Sequence, residues 1–230
     1  MSTPKTPSPK KRDAAATRRR LLATAERAFV EHGFDGTRVD EIAAQARVNK
    51  RMIYVYFGDK ERLYLEVLRT NLERVLEATR EIASGHSDPV EQAEAVIRRY
   101  FGYCAEHPSF VRLLSWESLS GGKRVGEVIA GLASAGIDEL HDILQRGVDG
   151  GSFRRDLDVP KVVFSVHALC VSYFSRRELL EAMWGEDITR EPVRGQVLDH
   201  ILSTVMHGIV VHPTSTNIHT SETSPGGSNP

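Results

Sequence analysis

The sequence predicts an all-α protein. Between residues 13 and 212 apolar residues recur at three- and four-residue spacing, no run alternates apolar and polar residues as a half-buried strand would, and Gly and Pro punctuate the periodic segments. The pattern resolves into three helices over residues 13–60 and roughly six over residues 61–212. Residues 1–12, rich in Pro, Lys and Arg, are expected to be a disordered basic arm, and residues 213–230, rich in Ser, Thr, Asn, Gly and Pro, a disordered tail.

The first helix is expected from Asp13 to about His32, with Leu22, Ala25 and Phe29 in one stripe flanked by Leu21 and Ala28, and with Gly33 as its stop. A short second helix turns Val39, Ile42, Ala43 and Ala46 inward. After about three residues a third begins near Asn49, and its Ile53 and Phe57, four apart, reach back onto the first two. Two short helices braced by a longer one form a helix-turn-helix, whose last helix enters the major groove of double-stranded DNA.

The side chains of the third helix fit that use. Lys50, Arg51 and Tyr54 fall on one exposed side, and Asn49 can cap the helix or present its amide to a base edge. Arg51 has the fork that pairs with guanine, whereas Lys50 is a mobile point charge suited to phosphate. Tyr56 can serve either as a phosphate contact or as core. Thr37 and Arg38 precede the second helix, where a hydroxyl and backbone N–H groups can cap it and meet a phosphate. Charge is distributed accordingly: residues 1–60 hold 13 Lys+Arg against 7 Asp+Glu, and residues 61–230 hold 17 against 24. A +6 head on a −7 body suits a polyanion partner, although a solvated basic face would give the same count.

The fourth helix runs from Lys60 to about Ser84, long enough to link head to body, and Gly85 to Pro89 breaks it. A fifth carries Ala93, Val96, Ile97, Tyr100, Phe101 and Cys104. A sixth holds Phe110, Leu113, Leu114 and Trp116 and stops at Gly121-Gly122. A single seventh helix is expected from Val125 through Leu144, then a loop from Gly147 to Pro160. The last two, over about 161–175 and 193–210, have broad apolar faces and an early proline each.

Several classes of function find no support. HExxH, GxSxG and Gly-rich phosphate loops are absent, and the nine histidines are scattered, so neither an enzyme nor a metal or other cofactor is expected. Cys104 and Cys170 form no CxxC or Cys/His cluster and suggest a reduced, cytoplasmic chain. The start is not a signal peptide, and no run of ~18 apolar residues could span a membrane. An architectural DNA binder without a ligand remains the rival reading.

The run Gly33-Phe34, Thr37, Val39, Ile42-Ala43, Ala46, Val48, Lys50, Tyr54, Phe57 and Lys60, continuing to Glu61 and Leu63, resembles the TetR (AcrR-like) family of transcriptional regulators. The resemblance implies three DNA-binding helices followed by about six helices of a ligand-binding and dimerisation domain. It implies a homodimer through approximately 161–175 and 193–210, a palindromic operator, and repression relieved by a small-molecule effector that biases the fourth helix. It places DNA contacts at Thr37, Arg38, Asn49, Lys50, Arg51, Tyr54, Tyr56 and Lys60. Arg47 departs from a turn glycine, adding a cation at a strain of order 1 kcal/mol if the turn needs positive φ. Arg51 stands where glycine is frequent and Val55 where tyrosine is. Residues able to line an effector pocket are Tyr103, Phe110, Trp116, Glu117, His167, Tyr173 and Trp184, each also a fair core residue. The stretch His107 to Phe110, Trp116-Glu117 and Gly121-Gly122 resembles, more loosely, the body of pyrimidine-responsive members.

Overall fold

The computed structural model describes residues 9–132 and 137–211, and these form eleven α-helices without a named strand. Residues 1–8 of the expected arm and the whole of the expected tail, 213–230, lie outside the described residues. Residues 9–12 do not follow the expectation of disorder: α1 spans Pro9–Gly36, because a proline is at home in a first turn and the Ala-rich sequence after it propagates the helix. Its turn is interrupted at Gly33, with φ 67° and ψ −175°, a conformation without penalty only for glycine.

After the Gly33 break come α2 (Val39–Gln45), α3 (Arg51–Phe57) and α4 (Lys60–Ala83). Asp59 starts α4 by accepting a hydrogen bond from the Arg62 N–H at 2.7 Å. Leu21, Ala25, Phe29, Ile42, Ala46, Ile53 and Phe57 are buried together as the core of the three head helices. That core does not end at residue 60, where the sequence placed the domain border. It continues through Leu63, Tyr64, Val67 and Leu68 of α4, and takes in Leu113 and Val128 from farther along the chain.

The body consists of α5 (Pro89–Glu106), α6 (Pro108–Leu119), α7 (Lys123–Leu132), α8 (Ile137–Asp149), α9 (Val159–Ser175), α10 (Arg177–Trp184) and α11 (Val193–Ile209). Its central member is α5, which packs on α4, α8, α9 and α11. Asp88 caps α5 through the Val90 and Glu91 N–H groups, and Asp158 caps α9 through Lys161 N–H.

The expected seventh helix is described as α7 and α8, and residues 133–136 between them lie outside the described residues. Two expectations for the body need correction. The loop expected over 147–160 is shorter, because α8 extends to Asp149. Phe153 in that loop is fully buried against Gly147, where any Cβ would collide with its ring, and it pairs with Val210 at the end of α11. Lastly, α10 was not expected; Gly185, in the left-handed conformation, ends it.

Candidate nucleic-acid interface and internal cavity

Hydrogen bonds from within the turn and from α1 hold the segment between α2 and α3. Arg47 adopts φ 53°, the left-handed conformation anticipated for a residue at a glycine position, and its N–H donates to Ala44 O at 3.0 Å. Arg20 reaches from α1 to donate through Nε to Ala46 O at 2.9 Å. Asn49 Oδ1 accepts from Arg51 N–H at 2.8 Å, so Asn49 caps α3 and keeps its side-chain NH2 group for a partner.

Ile53 and Phe57 are buried, which leaves Arg51 and Tyr54 exposed, the latter at 46 %. Tyr56 is half-buried and its ring lies 6.4 Å from that of Phe57. Lys50 is exposed but tethered: Nζ lies 2.8 and 3.0 Å from the two carboxylate oxygens of Asp40, and the bond to Asp40 raises the ammonium's pKa. Arg38 and Arg47 are exposed. Val55 is 63 % exposed and offers no polar group.

Thr37 is placed differently from the expectation of a hydroxyl cap on α2. Its side chain is buried, with Oγ1 2.7 Å from Gly33 O and 3.1 Å from Ala28 O. The interrupted end of α1 leaves carbonyls in need of donors, and the Thr37 hydroxyl supplies one, so α2 opens at Arg38 without a side-chain cap. Lys60 also turns inward. Its Nζ lies 4.5 Å from the centre of the Phe34 ring, and partial burial lowers its pKa.

Head and body meet around the same aromatic residues. Arg124 of α7 sets its guanidinium 3.9 Å from the Phe34 ring centre and its Nε 3.5 Å from Glu61 Oε1. Glu117, buried in α6, accepts from Val125 N–H at 3.0 Å. Trp116 Nε1 donates to Val30 O at 3.1 Å, with its ring directly over Gly33. Tyr64 is fully buried beside Phe29 and Phe34, and burial, aided by the Glu117 carboxylate, pushes its phenol pKa up.

A cavity of about 360 Å³ lies between α4, α5, α6, α7, α8 and α9. Of the seven residues expected to line such a pocket, it contains Phe110 and His167. Tyr103 is buried against Phe110 and His107, and Tyr173 donates to Ile188 O at 2.5 Å. Trp184 sits on the outside of α10, while Trp116 and Glu117 serve the head–body junction. The sequence reading missed Tyr100, whose hydroxyl is 2.7 Å from His167 Nδ1. It stood among the apolar positions of α5, and a stripe that faces a void has the same spacing as one that faces packed neighbours. Surrounding protein lowers the His167 pKa, although the ring itself opens onto the cavity.

Cys104 and Cys170 are free and buried, and desolvation pushes each thiol up to about 12, which makes them unreactive. Among the described residues no three His, Cys, Asp or Glu side chains could hold a metal ion, and no helix is long and apolar enough to cross a membrane.

Comparison with known proteins gives matches along most of the chain. Residues 21–67 match the family model described as bacterial regulatory proteins, tetR family, and residues 89–205 match that of the tetracyclin repressor-like C-terminal domain. The HTH-type transcriptional repressor NicS of Pseudomonas putida is 28 % identical over 198 residues, covering 85 % of this chain and 93 % of that protein. The HTH-type transcriptional regulator RutR of Escherichia coli K12 is 27 % identical over 205 residues, 89 % of this chain and 96 % of its own. Among solved structures, SCO4942 of Streptomyces coelicolor superposes with a TM-score of 0.63 at 27 % identity, over 84 % of this chain and 98 % of that one.

Proposed function

Because the chain belongs to the TetR family of bacterial regulatory proteins, we propose that it acts as a cytoplasmic homodimer that grips a palindromic operator and releases it when a small molecule fills the cavity. It is a DNA-binding transcriptional regulator and not an enzyme. In this reading residues 13–60 form the head and residues 61–212 the sensing and dimerising body, with α4 continuous between their cores.

The observation that carries the reading is the construction of α3. Ile53 and Phe57 anchor it, Asn49 caps it, and Arg51, Tyr54 and the Asn49 amide are left facing outward as donors for base edges. Arg38, Arg47, Lys50 and Tyr56 take phosphates, and Lys60 joins them by swinging off the Phe34 ring. Thr37 contributes backbone rather than hydroxyl, since its proton is already used on α1.

The surface of the body supports dimerisation. Phe164 is 70 % and Leu169 40 % exposed on α9. Such apolar area on a regulator that must place two recognition helices about 34–36 Å apart favours a second copy against α9 and α11. On α10, Leu179, Met183 and Trp184 extend the same apolar character.

Selection of bound duplexes from a random pool, followed by salt titration of the winner, tests the proposal. The expected result is an inverted repeat bound by a dimer, with random DNA ~10³-fold or more weaker. Sequence-blind binding by a monomer would sink it.

A further inference from the structure

Among the described residues the cavity has no charged wall, and its lining is aliphatic or aromatic except for Thr79, Tyr100, Ser118 and His167. Thr79 spends its hydroxyl proton on the carbonyls of Val75 and Leu76, both at 3.0 Å, and Ser118 spends its own on Leu114 O at 3.0 Å. What remains with a proton to offer a ligand is the pair Tyr100 and His167, on facing helices, joined at 2.7 Å, while the Thr79 and Ser118 oxygens can only accept.

That pair is neutral at neutral pH, because burial holds the imidazole below and the phenol above their ordinary pKa values. If the Tyr100 hydroxyl donates to Nδ1, its oxygen, which also neighbours the Cys104 thiol, keeps a lone pair to accept and Nε2 carries a proton to donate. His167 Nε2 has no protein partner among the described residues. The pair therefore offers one acceptor and one donor at one point of an otherwise apolar wall.

We propose, on the premise that this cavity is the effector site, that the effector is an uncharged, largely apolar molecule whose single hydrogen-bonding group docks on Tyr100 and His167. A carboxylate, phosphate or ammonium group would lose its hydration with no opposite charge to meet it. Arg124 of α7, beside the lining residue Val125, is engaged with Phe34 and Glu61. A pyrimidine base carries several donors and acceptors, most of which would be left unpaired here, so the looser resemblance of the body does not extend to its ligand. The volume, near the lower end of the ~300–1,000 Å³ range of ligand pockets, suits two or three rings or an equivalent chain.

The test uses two probes of one skeleton: N-phenyl-1-naphthylamine, uncharged with one N–H, and 1-anilinonaphthalene-8-sulfonate, which adds a permanent anion. Fluorescence titration of the full-length protein is expected to show one uncharged probe per subunit, bound at least tenfold more tightly than the sulfonate. Leu76→Trp and Val163→Trp, which fill the cavity from different helices, should abolish that binding in whichever variant keeps the parent melting curve. Tyr100→Phe should weaken it several-fold. Equal or tighter binding of the sulfonate in the parent protein overturns the proposal, as does uncharged-probe binding that survives in a folded Trp variant. Binding of the selected operator is measured alongside: its loss in the parent protein overturns the regulator reading alone, whereas a tight operator with an anion-preferring cavity overturns the ligand class alone.

Discussion

The indole Nε1 of Trp116 donates to the carbonyl oxygen of Val30 across 3.1 Å and so fastens the end of the first head helix to the body. The ring can come this close only because residue 33 lacks a side chain; a Cβ there would lie 3.0 Å from two ring atoms, on a backbone already at φ 67°. Trp116→Phe should therefore cost about 1 kcal/mol, the worth of one hydrogen bond. Gly33→Ala should cost more, because left-handed backbone and ring contact are both penalised. Urea unfolding of the two variants checks the order, and equal losses would contradict the contact.

Arg47 sets stability against DNA affinity. Its φ of 53° strains an arginine and not a glycine, so Arg47→Gly should stabilise the fold by up to ~1 kcal/mol. The same change removes an exposed cation and should weaken binding to all sequences. A rise in Tm with a fall in affinity for random DNA is the expected pair of results.

Asp40 competes with DNA for Lys50, since its carboxylate oxygens lie 2.8 and 3.0 Å from Nζ. Asp40→Asn should free the ammonium and remove a like charge from the interface, strengthening operator binding most at low salt. Titration against sodium chloride reads this as a steeper slope than that of the parent protein.

Arg51 and Lys60 should fail in different ways. Arg51→Ala is expected to relax base preference at one position in each half-site, costing ~1–3 kcal/mol there, whereas Lys60→Ala should weaken every sequence alike and flatten the salt slope. Lys60→Ala also loses its contact with Phe34 and so a few tenths of a kcal/mol of stability. Binding arrays over single-base variants of the selected site separate the two.

His167 gives the body a pH dependence of defined sign. Its folded pKa lies below the ordinary 6.5, so the unfolded chain binds the proton more readily; stability is intact above about 6.5 and declines as pH falls toward the folded value. Tyr100, Cys104 and Cys170 beside it stay neutral throughout this window, because burial raises all three. The fall in Tm between pH 7.5 and 5.5 should be smaller in His167→Gln than in the parent protein.

The helical character and the head were legible because their signals are local. Periodicity marked Ile53 and Phe57 of α3 for burial, and the family resemblance, which puts a turn glycine where Arg47 stands, pointed to its positive φ. The cavity was not, since Tyr100 and His167 are 67 positions apart and only the packing of α5 on α9 brings them together. Trp116 and Glu117 have the residue types of a ligand site, yet their partners, Val30 and Val125, are backbone groups that no pattern reveals. Thr37 misled for a similar reason: a hydroxyl before a helix can cap forward or tie backward, and here the broken end of α1 claims it.

Arg124 and Val125 are consecutive residues of α7, one touching Phe34 of the head and the other forming part of the cavity wall. If the cavity is the effector site, a ligand that rolls this helix by a few degrees would displace the head's aromatic anchor without crossing any intervening packing layer. On that reading, substitutions along one face of a single ten-residue helix would leave both binding events intact while silencing the conversation between them.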